Sequence, residues 1–341
     1  MKFRIHFIHA ALLLAASCSS VAAEPVADFY RGRTVTLLVG FPPGGGYDTN
    51  IRMLGRHIGR FIPGEPMVTI SNMPGAGSLT SANYLYRSAP ADGSVLAMFS
   101  SSSAMEAILG NKAALFDPLK FSWIGSMSQD VAFCGVWQAP GAAKSFDDML
   151  KFESIIGGGG QAAITYQHPM VLKNVLGAKL NVVTGYAGTR DINLAMNRGE
   201  VNGSCGLFTS SITSQWASEV KSGQLKLVIQ MGPKKTDMFG EIPSVFDYVR
   251  TDEQRAILDV HFKQLLLARP LAGPPDLPSD RLDALQKAFF QTLDDPKFQA
   301  DAQRTGVEVD PVTPTQIREL LQSFAAMPNA LRAKALEVMG R

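Results

Sequence analysis

Long apolar runs, clustered histidines and a surplus of either charge are all missing from this 341-residue sequence. No stretch reaches the ~18 uninterrupted apolar residues that a membrane-crossing helix needs, which excludes an integral membrane protein of that kind. Lysine and arginine nearly balance aspartate and glutamate, for a net charge of +2. Without a basic patch or a charge run, nucleic acid is excluded as a partner. Beyond residue 23 the histidines are His57, His168 and His261, which lie far apart without the spacing of metal ligands, so no zinc or haem site and no cofactor is expected. Catalytic signatures are missing too. There is no G-x-S-x-G elbow, no H-E-x-x-H, and no cysteine or serine with a neighbouring histidine. No catalytic residue is nominated, and the balance moves from enzyme toward binding protein.

What is present begins at the N-terminus. Lys2 and Arg4 precede an apolar stretch from Ile5 to Ala16, and small residues lead to Val21-Ala22-Ala23 before Glu24-Pro25. That is the form of a secretory signal cleaved after Ala23, placing the mature chain in the periplasm. A second reading makes Leu14-Ala15-Ala16-Ser17-Cys18 a lipoprotein site. Loss of residues 1–23 removes two basic residues and brings the net charge to zero. In an oxidising compartment Cys134 and Cys205 either pair or remain two separate buried thiols.

Along the rest of the chain, apolar runs of four to six residues alternate with amphipathic stretches, the rhythm of βαβ units. The fold class expected is α/β with two lobes, each a mostly parallel sheet flanked by helices, and a cleft between them. Strands are read at Val35–Gly40, Met67–Ser71 and Val95–Phe99 in one lobe. In the other they are read at Val131–Trp137, Ser154–Ile156, Val182–Val183, Val201–Phe208 and Leu225–Gln230. Residues 24–127 and 232–341 form the first lobe and 128–231 the second. The tail from Thr251 reads as largely helical, broken at Ala272-Gly273-Pro274-Pro275 and at Thr313-Pro314.

Phe41-Pro42-Pro43-Gly44-Gly45-Gly46-Tyr47-Asp48 follows a strand and precedes a helix. Three glycines let successive N–H groups point into one concavity, and the helix adds partial positive charge, so the loop suits an anion. The plainer alternative is a tight turn with Asp48 or Thr49 as helix cap. A nucleotide loop is excluded, since Tyr47-Asp48 stands where Lys-Ser or Lys-Thr would be needed. Gly157-Gly158-Gly159-Gly160-Gln161 is a second loop between strand and helix. Its formal match to a dinucleotide fingerprint fails, because the next strand ends without an acidic residue for a ribose. A second anion loop facing the first fits better. Between strand and helix at 184–191, Tyr186 suits a cleft wall and Thr189 offers a hydroxyl. Arg190 either bonds a carboxylate or pairs with Asp191 and solvent. Ser101 and Ser102, in the Ser100–Ser103 run, follow a strand at the end where α/β sites form.

In order and spacing, these loops resemble the substrate-binding proteins of tripartite tricarboxylate transporters, the TctC-type or Bug family. The series is Val39 to Asp48, Asn72-Met73-Pro74-Gly75-Ala76-Gly77, Pro90-Ala91-Asp92-Gly93, Gly157–Gly160, Tyr186-Ala187-Gly188, Gly199-Glu200-Val201 and Thr305-Gly306-Val307-Glu308 with Thr313-Pro314. The resemblance implies a type II periplasmic-binding-protein fold whose lobes close like a trap. It implies backbone amides at Gly44, Gly45, Gly46, Gly159 and Gly160 that hold a carboxylate. The partners it implies are a small and a large membrane subunit, driven by an ion gradient. Four positions depart from the family pattern. Tyr47 replaces a small hydroxyl residue, Gln161 follows four glycines where Ser and Thr are common, Ala187 replaces a lysine, and Arg190 replaces a small residue. Tyr47, Gln161 and His168 point to an aromatic or larger acid in place of citrate.

The function expected is therefore a monomeric carboxylate-binding protein that serves a transporter. Its ligand-binding residues are Pro43, Gly44, Gly45, Gly46, Tyr47, Asp48, Ser101, Ser102, Gly159, Gly160, Gln161, Tyr186, Thr189 and Arg190. A secreted hydrolase of small acids or esters, or a sensor that signals through a membrane receptor, are the competing functions.

Overall fold

The structure is a computed structural model and describes residues 26–340. The secretory-signal and Cys18 readings lie outside the described residues. Among the described residues, no helix is long and apolar enough to cross a membrane.

Ten strands are present among the described residues: β1 (Thr34–Val39), β2 (Met67–Asn72), β3 (Val95–Met98), β4 (Ser122–Ser126), β5 (Ala132–Trp137), β6 (Ser154–Gly157), β7 (Leu180–Val183), β8 (Gly203–Phe208), β9 (Leu225–Met231) and β10 (Pro270–Gly273). They form two five-stranded sheets, ordered β2-β1-β3-β10-β4 and β7-β6-β8-β5-β9. In the first, β1 pairs parallel with β2 and β3, while β10 runs antiparallel between β3 and β4. In the second, β6 pairs parallel with β7 and β8, while β5 runs antiparallel between β8 and β9. Both sheets are therefore mixed, each with one reversed strand next to its edge. The fold is the two-lobed type II arrangement, and helices flank both sheets. The chain passes from the first sheet to the second between β4 and β5, and returns between β9 and β10.

The reversed strand of the first sheet was not legible in advance. Pro270-Leu-Ala-Gly looks like the end of a helical region, yet all four residues are buried in the sheet. Proline is tolerated there because it opens the strand, where a missing N–H breaks least of the ladder. The C-terminal helices also do more than cover one lobe. Ser279–Asp294 and Pro314–Ala325 pack on β4, whereas Asp252–Lys263 and Asn329–Val338 pack against Ile164–Leu176, which follows β6.

β1 carries β-branched residues and leucines in Thr34-Val-Thr-Leu-Leu-Val, and its last three residues are buried. After the glycine loop, the helix Gly46–Ile58 places Tyr47, Ile51, Leu54 and Ile58 on a buried stripe. Cys134 and Cys205 face each other across the antiparallel β5–β8 pair and are joined as a buried disulfide.

Candidate functional site

The carboxyl ends of the parallel strands of both sheets meet around one cavity, the position at which open α/β sheets place their ligands. Its volume is about 400 Å³, within the range of small-molecule sites. The first lobe contributes Gly40–Pro42, Gly45–Tyr47, Pro74–Ser78 and Ser100. The second contributes Gly159–Gly160, Ala163–Thr165, Gly185–Arg190, Gly206, Phe208 and Ser211.

The glycine loop is held from behind. The N-cap of Gly46–Ile58 is Gly45, and neither Asp48 nor Thr49 takes that place. Asp48 lies in the first helical turn and faces away from the cavity, accepting from Gly44 N–H at 2.8 Å, Arg52 Nε at 2.8 Å and Asn72 Nδ2 at 2.8 Å. Burial works against its charge, but the bonds from Arg52, the Gly44 amide and Asn72 outweigh it and hold the carboxyl below its ordinary range. Asn72 Nδ2 also donates to Phe41 O at 2.8 Å, which ties β2 to the loop. Gly44 adopts φ +87°, where a side chain is strained. Its N–H is spent on Asp48. The first bond at the helix start runs from Thr49 N–H to Gly45 O at 2.9 Å. The amides of Gly45, Gly46 and Tyr47 precede it and have no helical partner.

Several expected residues stand outside the cavity lining. Pro43 and Gly44 are exposed at the rim. Asp48 braces the loop. Ser102 is buried and donates across the lobes to Ala162 O at 2.7 Å, and Ser101 is buried beside it. Ser100, one residue earlier, is the serine of that run that reaches the wall. Gln161 is exposed beyond the lining, and His168 is fully buried within its helix. Of the three residues read as favouring an aromatic acid, Tyr47 alone lines the cavity. In the second glycine loop, Gly159 N–H is spent on Thr165 Oγ1 at 3.0 Å, which leaves Gly160 as the amide with an open N–H.

The residues brought together are Gly45, Gly46, Tyr47, Gly160, Tyr186, Thr189 and Arg190, with Gly159 on the wall. Arg190 is the one charged side chain among the lining residues, and no aspartate or glutamate lines the wall. It makes no ion pair with Asp191. Its exposed guanidinium crosses the cleft, so that a methyl group added to Gly44 would come within 2.9 Å of Nη1. Thr189 Oγ1 accepts from Gln215 Nε2 at 2.8 Å.

Tyr47 is 8% exposed; its ring stacks on Phe41 at 4.5 Å, and its hydroxyl lies 3.5 Å from Ser100 Oγ. Burial raises its phenol pKa. Beneath it lies Arg269, 1% exposed, with its guanidinium 4.4 Å from the Tyr47 ring centre and 4.2 Å from that of Phe208. Arg269 Nη2 donates to Ser210 Oγ at 2.6 Å and lies 3.5 Å from Asp130 Oδ2. Asp130 is anchored by Val131 N–H and by the Thr209 hydroxyl. This buried group joins both lobes where the chain crosses between them. No local motif marks it, because its members come from four separate segments.

The turn Gly75–Ser78 was the largest omission from the expected site. Ala76, Gly77 and Ser78 have φ of +48°, +65° and +77°, a left-handed turn supported by Ser78 Oγ, which accepts from Ser100 N–H at 2.9 Å. Gly77 meets the second lobe so closely that a methyl group there would overlap Ala163 N and stand 2.6 Å from Ala162 C. The Pro-Gly-Ala-Gly sequence was the available signal.

No family model matches the chain. A UPF0065 protein from Cupriavidus necator is 23% identical over 319 residues, covering 89% of both chains. Among solved structures, the periplasmic binding protein BugD superposes with a TM-score of 0.72 at 19% identity, covering 91% of this chain and 99% of its own. MatC from Rhodopseudomonas palustris, with bound malate, superposes with a TM-score of 0.70 at 16% identity, covering 90% and 99%. The ordered motif series, the full-length sequence match and the shared fold agree. The chain is similar in sequence and fold to proteins of the Bug/TctC type. In this chain Tyr47 and Arg190 are the notable wall residues, one stacked on a buried arginine and the other reaching across the cleft.

Proposed function

We propose that this protein is a periplasmic solute-binding protein that captures a small organic carboxylate between its lobes and delivers it to a tripartite tricarboxylate-type transporter with a small and a large membrane subunit. One observation carries the reading. Gly45, Gly46 and Tyr47, at a helix start, and Arg190, whose guanidinium reaches the Gly44 rim of the same loop, line one cavity whose wall holds no acidic side chain. Such a wall favours an anion through unpaired N–H groups, the helix dipole and a charge-assisted bond. The malate bound by MatC supports the same ligand class.

In this reading Gly45, Gly46, Tyr47 and Gly160 offer backbone donors, Arg190 supplies the countercharge, and Tyr186 and Thr189 shape the second wall. Gly44, Asp48 and Gly159 support the loops. The lobes divide near residues 127/128 and 231/232, between the strands at which the chain changes sheets. Non-enzymatic binding is favoured because the wall serines, Ser78, Ser100 and Ser211, have no histidine or carboxylate beside them in the lining.

The test is calorimetric titration of a panel of small acids into the wild type, Gly45→Pro and Arg190→Gln. Gly45 has φ −86°, near proline's range, so Gly45→Pro removes one N–H donor, and melting curves check that the loop after Gly44 keeps its fold. Each variant should bind about 10- to 100-fold more weakly, the worth of a hydrogen bond to a charged group. Unaltered dissociation constants in both would remove the assignment of the loop and of Arg190.

A further inference from the structure

The identity of the acid's body follows from how the wall spends its polar groups. Ser78 Oγ accepts from Ser100 N–H and lies 2.8 Å from Ser103 Oγ. Ser100 Oγ bonds Ser102 Oγ at 2.6 Å, while Thr165 Oγ1 and Thr189 Oγ1 hold Gly159 N–H and Gln215. Ser78 and Ser100 are thus bonded among serines, while Thr165 and Thr189 each hold a protein donor and keep an O–H, so the wall hydroxyls open to a sugar acid or a hydroxylated tricarboxylate are few. Beside the glycine loop the cavity presents rings, those of Phe41 and Tyr47 among them.

Those rings are arranged in a column. Phe41 stacks on Tyr47 with centres 4.5 Å apart and planes 20° apart, and Arg269 lies 4.4 Å from the same Tyr47 centre. Two planar groups so close to one ring cannot share a face, so both faces of Tyr47 are covered. Arg269 is fixed in turn by Ser210, Asp130 and the Phe208 ring. A ligand therefore does not stack on Tyr47. It meets Phe41, half-buried on the cavity wall, one face of which rests on the rigid column. Tyr186, also half-buried, lines the cavity from the second lobe.

We infer that the acid is aromatic, its carboxylate at the Gly45–Tyr47 amides and its ring on Phe41, with Tyr186 brought onto it when the lobes close. The inference rests on the carboxylate reading above and adds a stacking platform, which offset aromatic contacts reward beyond area burial. Tyr47 and Arg269 act as positioning residues that hold the plane of Phe41.

Two pairs of acids matched in shape and charge test it: benzoate with cyclohexanecarboxylate, and phenylacetate with cyclohexylacetate. Calorimetry on the wild type should show the aromatic member of at least one pair binding roughly three- to tenfold tighter. Phe41→Leu and Tyr186→Leu should each weaken the aromatic acid more than its saturated partner, so the ratio falls toward one. Phe41→Met serves if the leucine variant melts early. Ratios within twofold in the wild type overturn the aromatic inference and leave the carboxylate reading intact. Benzamide binding as tightly as benzoate would instead overturn the carboxylate reading.

Discussion

Replacing Gly77 by alanine should hold the lobes apart without unfolding either one. The methyl group would stand 2.6 Å from Ala162 C and 2.9 Å from Ala163 Cα, whereas ordinary contact begins near 3.4 Å. Those are backbone atoms at the start of a helix, with no rotamer to relieve the overlap. The lobes must separate locally by roughly 1 Å, and overpacking of this kind costs about 1–3 kcal/mol. The cost falls on the arrangement in which the lobes touch at Gly77, and a ligand held by both lobes should then bind about 5- to 150-fold more weakly. Alanine at φ +65° also strains the turn itself, and that part lowers the melting temperature with or without ligand. Gly32→Ala separates the two effects, since Gly32 has φ +70° and no heavy atom within 4 Å. Calorimetry of a bound acid, with melting curves of the ligand-free proteins, should show similar melting losses in both variants but weakened binding in Gly77→Ala alone. Equal dissociation constants for the two variants would refute the role of the Gly77 contact in the ligand-bound state.

Three further outcomes are expected. Asp48→Asn should cost about 1–3 kcal/mol in urea unfolding, since it loosens Gly44, Arg52 and Asn72 together. The depressed carboxyl pKa contributes stability that is present above the unfolded value and lost as pH falls through the folded one. The acid limb of the stability profile should therefore flatten in the variant, and an unchanged limb would count against this network. His168 has neither ring nitrogen hydrogen-bonded; burial, then the neighbouring His261, pushes its pKa down from 6.5 to about 3. Below pH 6.5 the unfolded chain takes up a proton that the folded one refuses, so wild-type stability should fall by about 2 kcal/mol by pH 5. His168→Phe should remove that loss, and an identical pH slope would refute the assignment. Cys134→Ala with Cys205→Ala opens a link across a sequence separation of 71. Chain entropy values such a link at about 4 kcal/mol, so scanning calorimetry should show a melting temperature lower by several degrees.

Much of this architecture was legible because its signals are local. The alternation of short apolar runs with amphipathic stretches prescribes strands and helices wherever one face must be buried. The Gly44–Gly46 loop announces itself because positive φ and exposed amides depend on residues a few positions apart. Arg190 and Thr189 were nominated by their place at a strand-to-helix junction, and both line the cavity. The order of glycine motifs likewise carried the resemblance to Bug/TctC-type proteins, since spacing is a property of the chain alone.

Other features depend on which distant segments meet. Whether Asp48 caps its helix or braces Gly44 turned on Asn72, delivered by the neighbouring strand β2. The N–H groups of Gly44 and Gly159 look like ligand donors in sequence, yet each is consumed by a side chain that folding brings to it. Gln161 and His168 sit near the second loop in sequence, but the helix turns one into the interior and the loop leaves the other outside. Strand β10 is too short and too close to proline to betray a place in the sheet, because its stability comes from the ladders on both sides. The column of Phe41, Tyr47 and Arg269 spans more than 220 positions of sequence. Sequence determines local conformation and the donors a loop can offer; tertiary packing decides which donors remain free and which rings face the ligand, because burial and hydrogen bonding are settled between segments the chain holds far apart.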